Sequence, residues 1–217
     1  MVEYVELDGD AFSTILRGAI EVRGKETMFH LYGNKSRKRF FVENADPLQT
    51  AYRGSTSVEP ENISALERLA LFNEAFITPV IKKSRKVKKR VGEAHTHTAN
   101  LNQRNCRLTI RDKRGDGDLA YIEDIMKDEN IQDWLEIIVS IKFKDYNKIY
   151  EPDTVILSYP KKERVISKNG RVGWDIILAA YHVIQDNKRL RVNELPIILP
   201  RRYYWYYNGA LNPAKDL

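Results

Sequence analysis

The chain has 217 residues, 42% of them hydrophobic, and a formal net charge of +6 from 36 basic and 30 acidic side chains. A chain of this size and apolar content can bury a full core, so we expect one folded domain rather than a disordered segment. The sequence has no apolar run long enough to cross a membrane, and all charged side chains among its first ten residues are acidic. These features predict a cytoplasmic protein with neither a transmembrane helix nor a signal peptide, and with no membrane partner. The single cysteine, Cys106, excludes an internal disulfide.

The first half of the chain predicts a helix, a hairpin and a second helix. Apolar residues recur at spacings of three and four over residues 10–24, which is typical of an amphipathic helix. Two stretches rich in β-formers, residues 25–33 and 39–43, predict a hairpin with Glu26 at its entry. A broad apolar face predicts a long helix over residues 62–76.

The second half predicts mainly strands. Residues 118–126 have a helical apolar period, whereas 134–143 form an apolar run typical of a buried central strand. Residues 174–184 fit either a strand or a buried helix. Shorter strands are predicted at 106–110, 154–159 and 164–167.

Two of the four histidines lie two residues apart, at the end of a predicted strand, in the sequence His95-Thr96-His97. Residues i and i+2 of a strand point to the same face, so both imidazoles can bind one metal ion. A pair of this kind is also common on exposed strands, and a metal site needs a third ligand and a base.

Asp118 stands at the start of a predicted helix. An aspartate in this place commonly caps the free backbone N–H groups of the helix.

The order of these motifs resembles a known family. Glu26-Thr27 followed by Leu31 and Gly33, then a long helix, then His95-Thr96-His97, then Asp118-Leu119, is similar to the JAB/MPN domain in its metal-binding JAMM form. The resemblance implies an α/β fold, with a mixed, curved β-sheet flanked by helices in a cytidine-deaminase-like architecture. It would cover residues 1–200, leaving 201–217 as an aromatic C-terminal tail.

The resemblance also implies a site and a reaction. Glu26 would be the general base, and His95, His97 and Asp118 would bind Zn²⁺ with a water as fourth ligand. Asp116 is a rival of Asp118 for the ligand role. The implied activity is zinc-dependent hydrolysis of an isopeptide or peptide bond, with a ubiquitin-like protein conjugate as the expected substrate.

The sequence departs from the family pattern in three places. Twenty residues separate His97 from Asp118, a longer spacing than in the family, which implies an insertion at about 99–114. Basic side chains prevail in this insertion, so we expect a basic flap beside the metal. Thr98 and Gly115 stand where the family favours Pro and Ser. These departures keep open an alternative, a catalytically weak or inactive JAB-like binding or scaffold module.

Two further classes of protein use related metal-site motifs. Some metal-dependent nucleases carry His-x-His on a strand, and the basic run that begins at Lys82 and ends at Arg90 would suit a nucleic acid. These nucleases normally have a bulky apolar residue between the two histidines, whereas this chain has Thr96. A basic run like this one is also usually solvated. A zinc deaminase needs a Cys-x-x-Cys pair, which one cysteine excludes. His30 is interpreted as a packed or surface histidine and His182 as a core histidine, both outside the site.

Overall fold

A computed structural model describes residues 2–21, 26–48, 51–53, 58–60, 89–97, 107–109, 117–145, 155–158, 162–166, 172–186 and 189–199. The helix predicted over 62–76, the basic run up to residue 88, most of the insertion and the tail 201–217 lie outside these residues. Asp116, the rival ligand, lies outside them too.

The described residues form two helices and a larger number of strands. In chain order these are β1 Tyr4–Leu7, α1 Gly9–Glu21, β2 Met28–Lys35, β3 Arg39–Pro47, β4 Ala51–Arg53, β5 Val58–Pro60, β6 Lys89–His97, α2 Asp118–Asp128, β7 Asp133–Asp145, β8 Val155–Ser158, β9 Lys162–Ile166, β10 Val172–Asp186, β11 Arg189–Leu195 and β12 Ile197–Ile198.

Ten of the strands form one mixed sheet that nearly closes on itself. Its order is β12-β1-β3-β2-β6-β7-β10-β9-β8, and β11 also pairs with β10. Only Pro196 separates β11 from β12, yet β11 pairs with β10 while β12 pairs with β1 at the far end of the order. One continuous stretch of chain therefore joins the two sides of a barrel-like sheet. The neighbours β6 and β7 run parallel in its centre.

The two helices pack on opposite faces of this sheet. In β7 the odd-numbered residues Leu135, Ile137 and Val139 join a core with Phe12 and Ile15 of α1. On the other face Trp134 packs with Ile122 and Met126 of α2. This alternation is the period-two pattern of a strand that is buried on both sides. We call these the α1 face and the α2 face.

The helix α1 begins where the sequence predicts. The Asp8 carboxylate accepts a hydrogen bond of 3.0 Å from the amide of Asp10, which satisfies a free N–H of the first turn. The apolar residues at spacings of three and four are the buried ones.

The mixed, curved sheet flanked by helices is confirmed, as are α1, the β2–β3 hairpin, α2 and the central strand β7. Residues 174–184, open between strand and helix, lie in the long strand β10. The strand predicted at 106–110 is wrong at 107–109, which have no regular secondary structure. Among the helices in the described ranges, none has the length and apolar character needed to span a membrane.

Candidate metal centre

His95 and His97 lie near the end of β6, which is held on one side by β2 and on the other by β7. Both imidazoles lie on the α2 face, as the two-residue spacing predicts. Their Nε2 atoms are 2.9 Å apart and their ring centroids 4.8 Å apart. The strand therefore presents two nitrogen donors to one small volume.

Asp118 completes the group from the first residue of α2. Its Oδ1 lies 3.4 Å from His95 Nε2, and its Oδ2 lies 3.7 Å from His97 Nε2. The N-cap residue is Gly117, with φ of 139°, and no side chain caps the helix. The Asp118 carboxylate is thus free of the capping role and faces the histidines. A backbone with this φ favours glycine, which explains why Gly117 precedes it.

Thr109 orients Asp118 from the described fragment of the insertion. Its amide donates to Asp118 Oδ2 at 2.8 Å, and its hydroxyl accepts from the Asp118 amide at 3.0 Å. The Leu119 amide also donates to the Thr109 carbonyl, at 3.2 Å. The segment around Thr109 therefore lies beside the candidate site and fixes the rotation of the carboxylate.

The protonation of the group follows from its geometry. Burial disfavours a charged imidazole, but hydrogen bonds to Asp118 and Glu136 raise the pKa of His95 well above its ordinary 6.5. Burial also disfavours the Asp118 carboxylate, yet its bonds with His95 and the Thr109 amide lower its pKa to about 2. The site without metal thus stores a proton on His95 between carboxylates, and a cation binding there would displace it.

Glu26 precedes β2, beside this group. Burial raises the pKa of its carboxyl from the ordinary 4.5 to about 7, with His95 opposing the rise and Asp118 adding to it. Both neighbours belong to the candidate metal group, so the Glu26 carboxyl lies within their electrostatic reach. A carboxyl with this pKa can take up and release a proton near neutral pH.

A buried glutamate on β7 contacts His95 at the ring nitrogen that does not face the other candidate ligands. Glu136 Oε1 lies 2.7 Å from His95 Nδ1, and Glu136 Oε2 accepts from Trp134 Nε1 at 2.8 Å. Glu136 is only 2% exposed. A hydrogen bond at Nδ1 fixes the ring and leaves Nε2, which faces His97 and Asp118, as the donor for a metal.

Arg90, the last residue of the basic run, lies in a charged cluster and is partly buried, whereas Lys89 before it is exposed. Its guanidinium pairs with Glu93 and with Glu129 Oε1, the latter at 2.6 Å. It also covers the Trp134 ring, with Cζ 4.9 Å from the centroid. His30 Nε2 contacts Glu93 Oε1 at 3.3 Å across the neighbouring strand. Arg90 is thus paired and partly buried on the α2 face, with 23% of its side chain exposed.

The two remaining histidines lie outside the metal group, as predicted. His30 is buried in its pair with Glu93. His182 Nε2 lies 2.7 Å from Asp133 Oδ1, and its ring meets Phe40 edge-on at 5.1 Å. Both are packed histidines.

His95, His97 and Asp118 are therefore brought together, with one ligand atom from each lying within 4.8 Å of the others. This group can hold a metal ion. Sequence reasoning missed Glu136, Thr109 and Glu93. The signal for Glu136 was a charged residue inside the apolar run 134–143, and for Glu93 its place two residues before His95 on the same face.

Comparison with known proteins adds no family. No family model matches the chain, and no curated protein matches it. The solution structure of protein DSY2949 from Desulfitobacterium hafniense, a structural genomics target, is similar to it at 17% identity and a TM-score of 0.49. That alignment covers 90% of this chain and 92% of the other.

Proposed function

We propose that this chain is a zinc-dependent hydrolase that cleaves peptide or isopeptide bonds, with the architecture of a JAB/MPN domain. One observation carries the proposal: two imidazole nitrogens and one carboxylate converge on a common point, and a carboxyl of raised pKa, Glu26, lies beside them. A metal with a neighbouring general base is the arrangement that metal-assisted hydrolysis requires.

The spacing of the donors suits zinc. Zinc bonds to nitrogen and oxygen are about 2.0–2.1 Å long, so tetrahedral ligands lie about 3.3–3.4 Å apart. The separations here are 2.9 Å between the two Nε2 atoms, and 3.4 and 3.7 Å from these nitrogens to Asp118. Three protein ligands leave the fourth position open, which is typical of catalytic rather than structural zinc.

The residues of the chain have separable tasks in this reaction. His95, His97 and Asp118 would hold a zinc ion, which would supply Lewis-acid chemistry at the scissile carbonyl. Glu26 takes a proton from the attacking water and returns it to the departing amine, which its pKa near 7 suits. Glu136 accepts the proton on His95 Nδ1, so Nε2 is the nitrogen that a metal would bind once it displaces the second proton.

The substrate class follows from the resemblance of the motifs to JAMM hydrolases. We propose a ubiquitin-like protein conjugate, cleaved at the bond to a lysine side chain or to a following peptide.

The test uses the zinc-loaded full chain and a panel of ubiquitin-like conjugates carrying a C-terminal isopeptide-linked lysine peptide. The released amine is followed by mass spectrometry. Cleavage should stop with a chelator, return with zinc, and be lost in Glu26→Gln. The exposed Glu3→Gln is the matched control and should cleave like the wild type.

Two outcomes would contradict the proposal. A zinc-loaded protein that binds a conjugate without cleaving it would be a binding module. A protein that cleaves single- or double-stranded nucleic acid and no conjugate would be a nuclease.

A further inference from the structure

Thr96, the residue between the two histidines, has its side chain on the α1 face and is 3% exposed. Its hydroxyl oxygen accepts a hydrogen bond of 2.8 Å from the Thr27 amide. In return the Thr96 amide donates to the Thr27 carbonyl, at 2.9 Å. Thr27 is 1% exposed, so both bonds are shielded from water.

These bonds lie where β2 begins. The β2–β6 ladder pairs Met28 with His95, and continuing this antiparallel register places Thr27 opposite Thr96 and Glu26 opposite His97. Glu26 and Met28 share one face by strand alternation, so Glu26 falls on the same face as the histidines.

A regular antiparallel pair of this type exchanges two main-chain hydrogen bonds. Here the Thr96 amide makes one of them, while the Thr27 amide donates to the Thr96 side chain. The path of the chain into β2 is thus set by a hydroxyl group. Glu26 directly precedes the Thr27 amide, so this bond lies next to the Glu26 backbone.

We propose that Thr96 is a positioning residue, whose buried hydroxyl holds the chain at Thr27 so that Glu26 faces the metal group. This rests on the proposed role of Glu26 as general base. Strand β6 would thus contribute to the site from both faces. His95 and His97 on the α2 face would bind the metal, and Thr96 on the α1 face would position Glu26.

A threonine buried only for packing would behave differently. Valine has nearly the same shape but lacks the hydroxyl, whereas serine keeps the hydroxyl and loses the methyl group. Thr96→Val and Thr96→Ser therefore separate the hydrogen bond from the packing, and Thr96→Ala replaces the valine variant if that variant does not fold.

The position of Glu26 is measured first, without turnover. Co²⁺ bound to the full chain shifts the NMR signals of nearby amides, so the shift of the Glu26 amide reports its place relative to the metal. We expect Thr96→Val to change this shift and to speed hydrogen exchange at the Thr27 amide, while Thr96→Ser matches the wild type. Equal Thr27 exchange in wild type and Thr96→Val would overturn the proposal, whatever the activity.

Turnover is measured next, on a conjugate that the wild type cleaves. Thr96→Val should keep its zinc and its KM but lose roughly 10- to 100-fold in kcat, the scale expected when a catalytic group is misplaced by about 1 Å. Thr96→Ser should retain most of the wild-type kcat. An unchanged kcat in Thr96→Val, or equal losses in the valine and serine variants, would overturn the proposal. A wild type that binds Co²⁺ with the expected Glu26 shift but cleaves nothing would instead refute the hydrolase function and leave the positioning of Glu26 intact.

Discussion

Replacing Glu136 with glutamine tests how the sheet prepares His95 for a metal. Glu136 is buried, and its two oxygens face two ring nitrogens, His95 Nδ1 at 2.7 Å and Trp134 Nε1 at 2.8 Å. The indole nitrogen is a donor in every state. A carboxylate accepts from both rings, whereas a glutamine amide has one oxygen and one NH₂ group.

Glutamine can therefore satisfy both rings only if the imidazole carries its proton on Nε2. If its oxygen accepts from Trp134, its NH₂ group faces His95 Nδ1, and the imidazole must carry its proton on Nε2, where the metal should bind. If the glutamine amide flips by 180°, its NH₂ group faces Trp134 Nε1, and two donors meet in a buried site. With zinc on Nε2 the imidazole proton must lie on Nδ1, so in either arrangement two donors face each other, at a cost of about 1–3 kcal/mol. We expect Glu136→Gln to weaken zinc binding by about 10- to 100-fold, the range seen when such a supporting carboxylate is lost.

The control is the double variant Glu136→Gln with Trp134→Phe. Phenylalanine removes the competing indole donor, so the glutamine oxygen can accept from His95 Nδ1 and part of the zinc affinity should return. Zinc affinity is measured by competition with a chromophoric chelator at pH 7.5. Wild-type affinity in Glu136→Gln, or a double variant weaker than the single one, would refute the reasoning.

Two other predictions concern protons. Burial raises the pKa of Glu26 to about 7 in the folded chain, so the ionised carboxylate destabilises the fold. This destabilisation is absent below about pH 4.5 and reaches its full size above about pH 7. Metal-free Glu26→Gln should thus be more stable than wild type at pH 8, by about 1 kcal/mol once solvent screening is allowed for, and equal to it at pH 4 in urea titrations. Zinc affinity should rise with pH, because the raised pKa of His95 means that the metal must displace a proton. Calorimetry in two buffers of different ionisation enthalpy counts that proton, and a count of zero would contradict the prediction.

A local sequence pattern predicts that His95 and His97 share a face, whereas Asp118 was chosen as third ligand through the resemblance to the JAMM family. His95 and His97 share a face because the side chains of a strand alternate between its two faces. Asp118 begins a helix that the helical period of the apolar residues predicts. Neither inference needs to know which strands are neighbours. The cap interpretation of Asp118 failed because Gly117, with its φ of 139°, takes the N-cap position.

The supporting residues depend on how distant strands pair, which a sequence pattern does not encode. Glu136 meets His95 because β6 and β7 run parallel with His95 beside Ile138. Thr109 reaches Asp118 through a segment without regular secondary structure. Register between strands so far apart in sequence is fixed by tertiary packing.

The strands that close the sheet were missed for a different reason. The strand β1 has only four residues, and β11 exposes Arg189, Arg191 and Glu194, so neither has the apolar run that marks a buried strand. Their place in the sheet comes from pairing at the two sides of the barrel-like fold.

The zinc content of the full chain, purified without added metal and measured by mass spectrometry, tests the central claim most directly. The account predicts one zinc ion per chain in the wild type and none in His97→Ala, because the variant loses one of three protein ligands. His30→Gln is the matched control, since it changes another histidine on the same face and should retain its zinc. Equal zinc in wild type and His97→Ala, or a wild type without zinc that takes up none when it is supplied, would contradict the account.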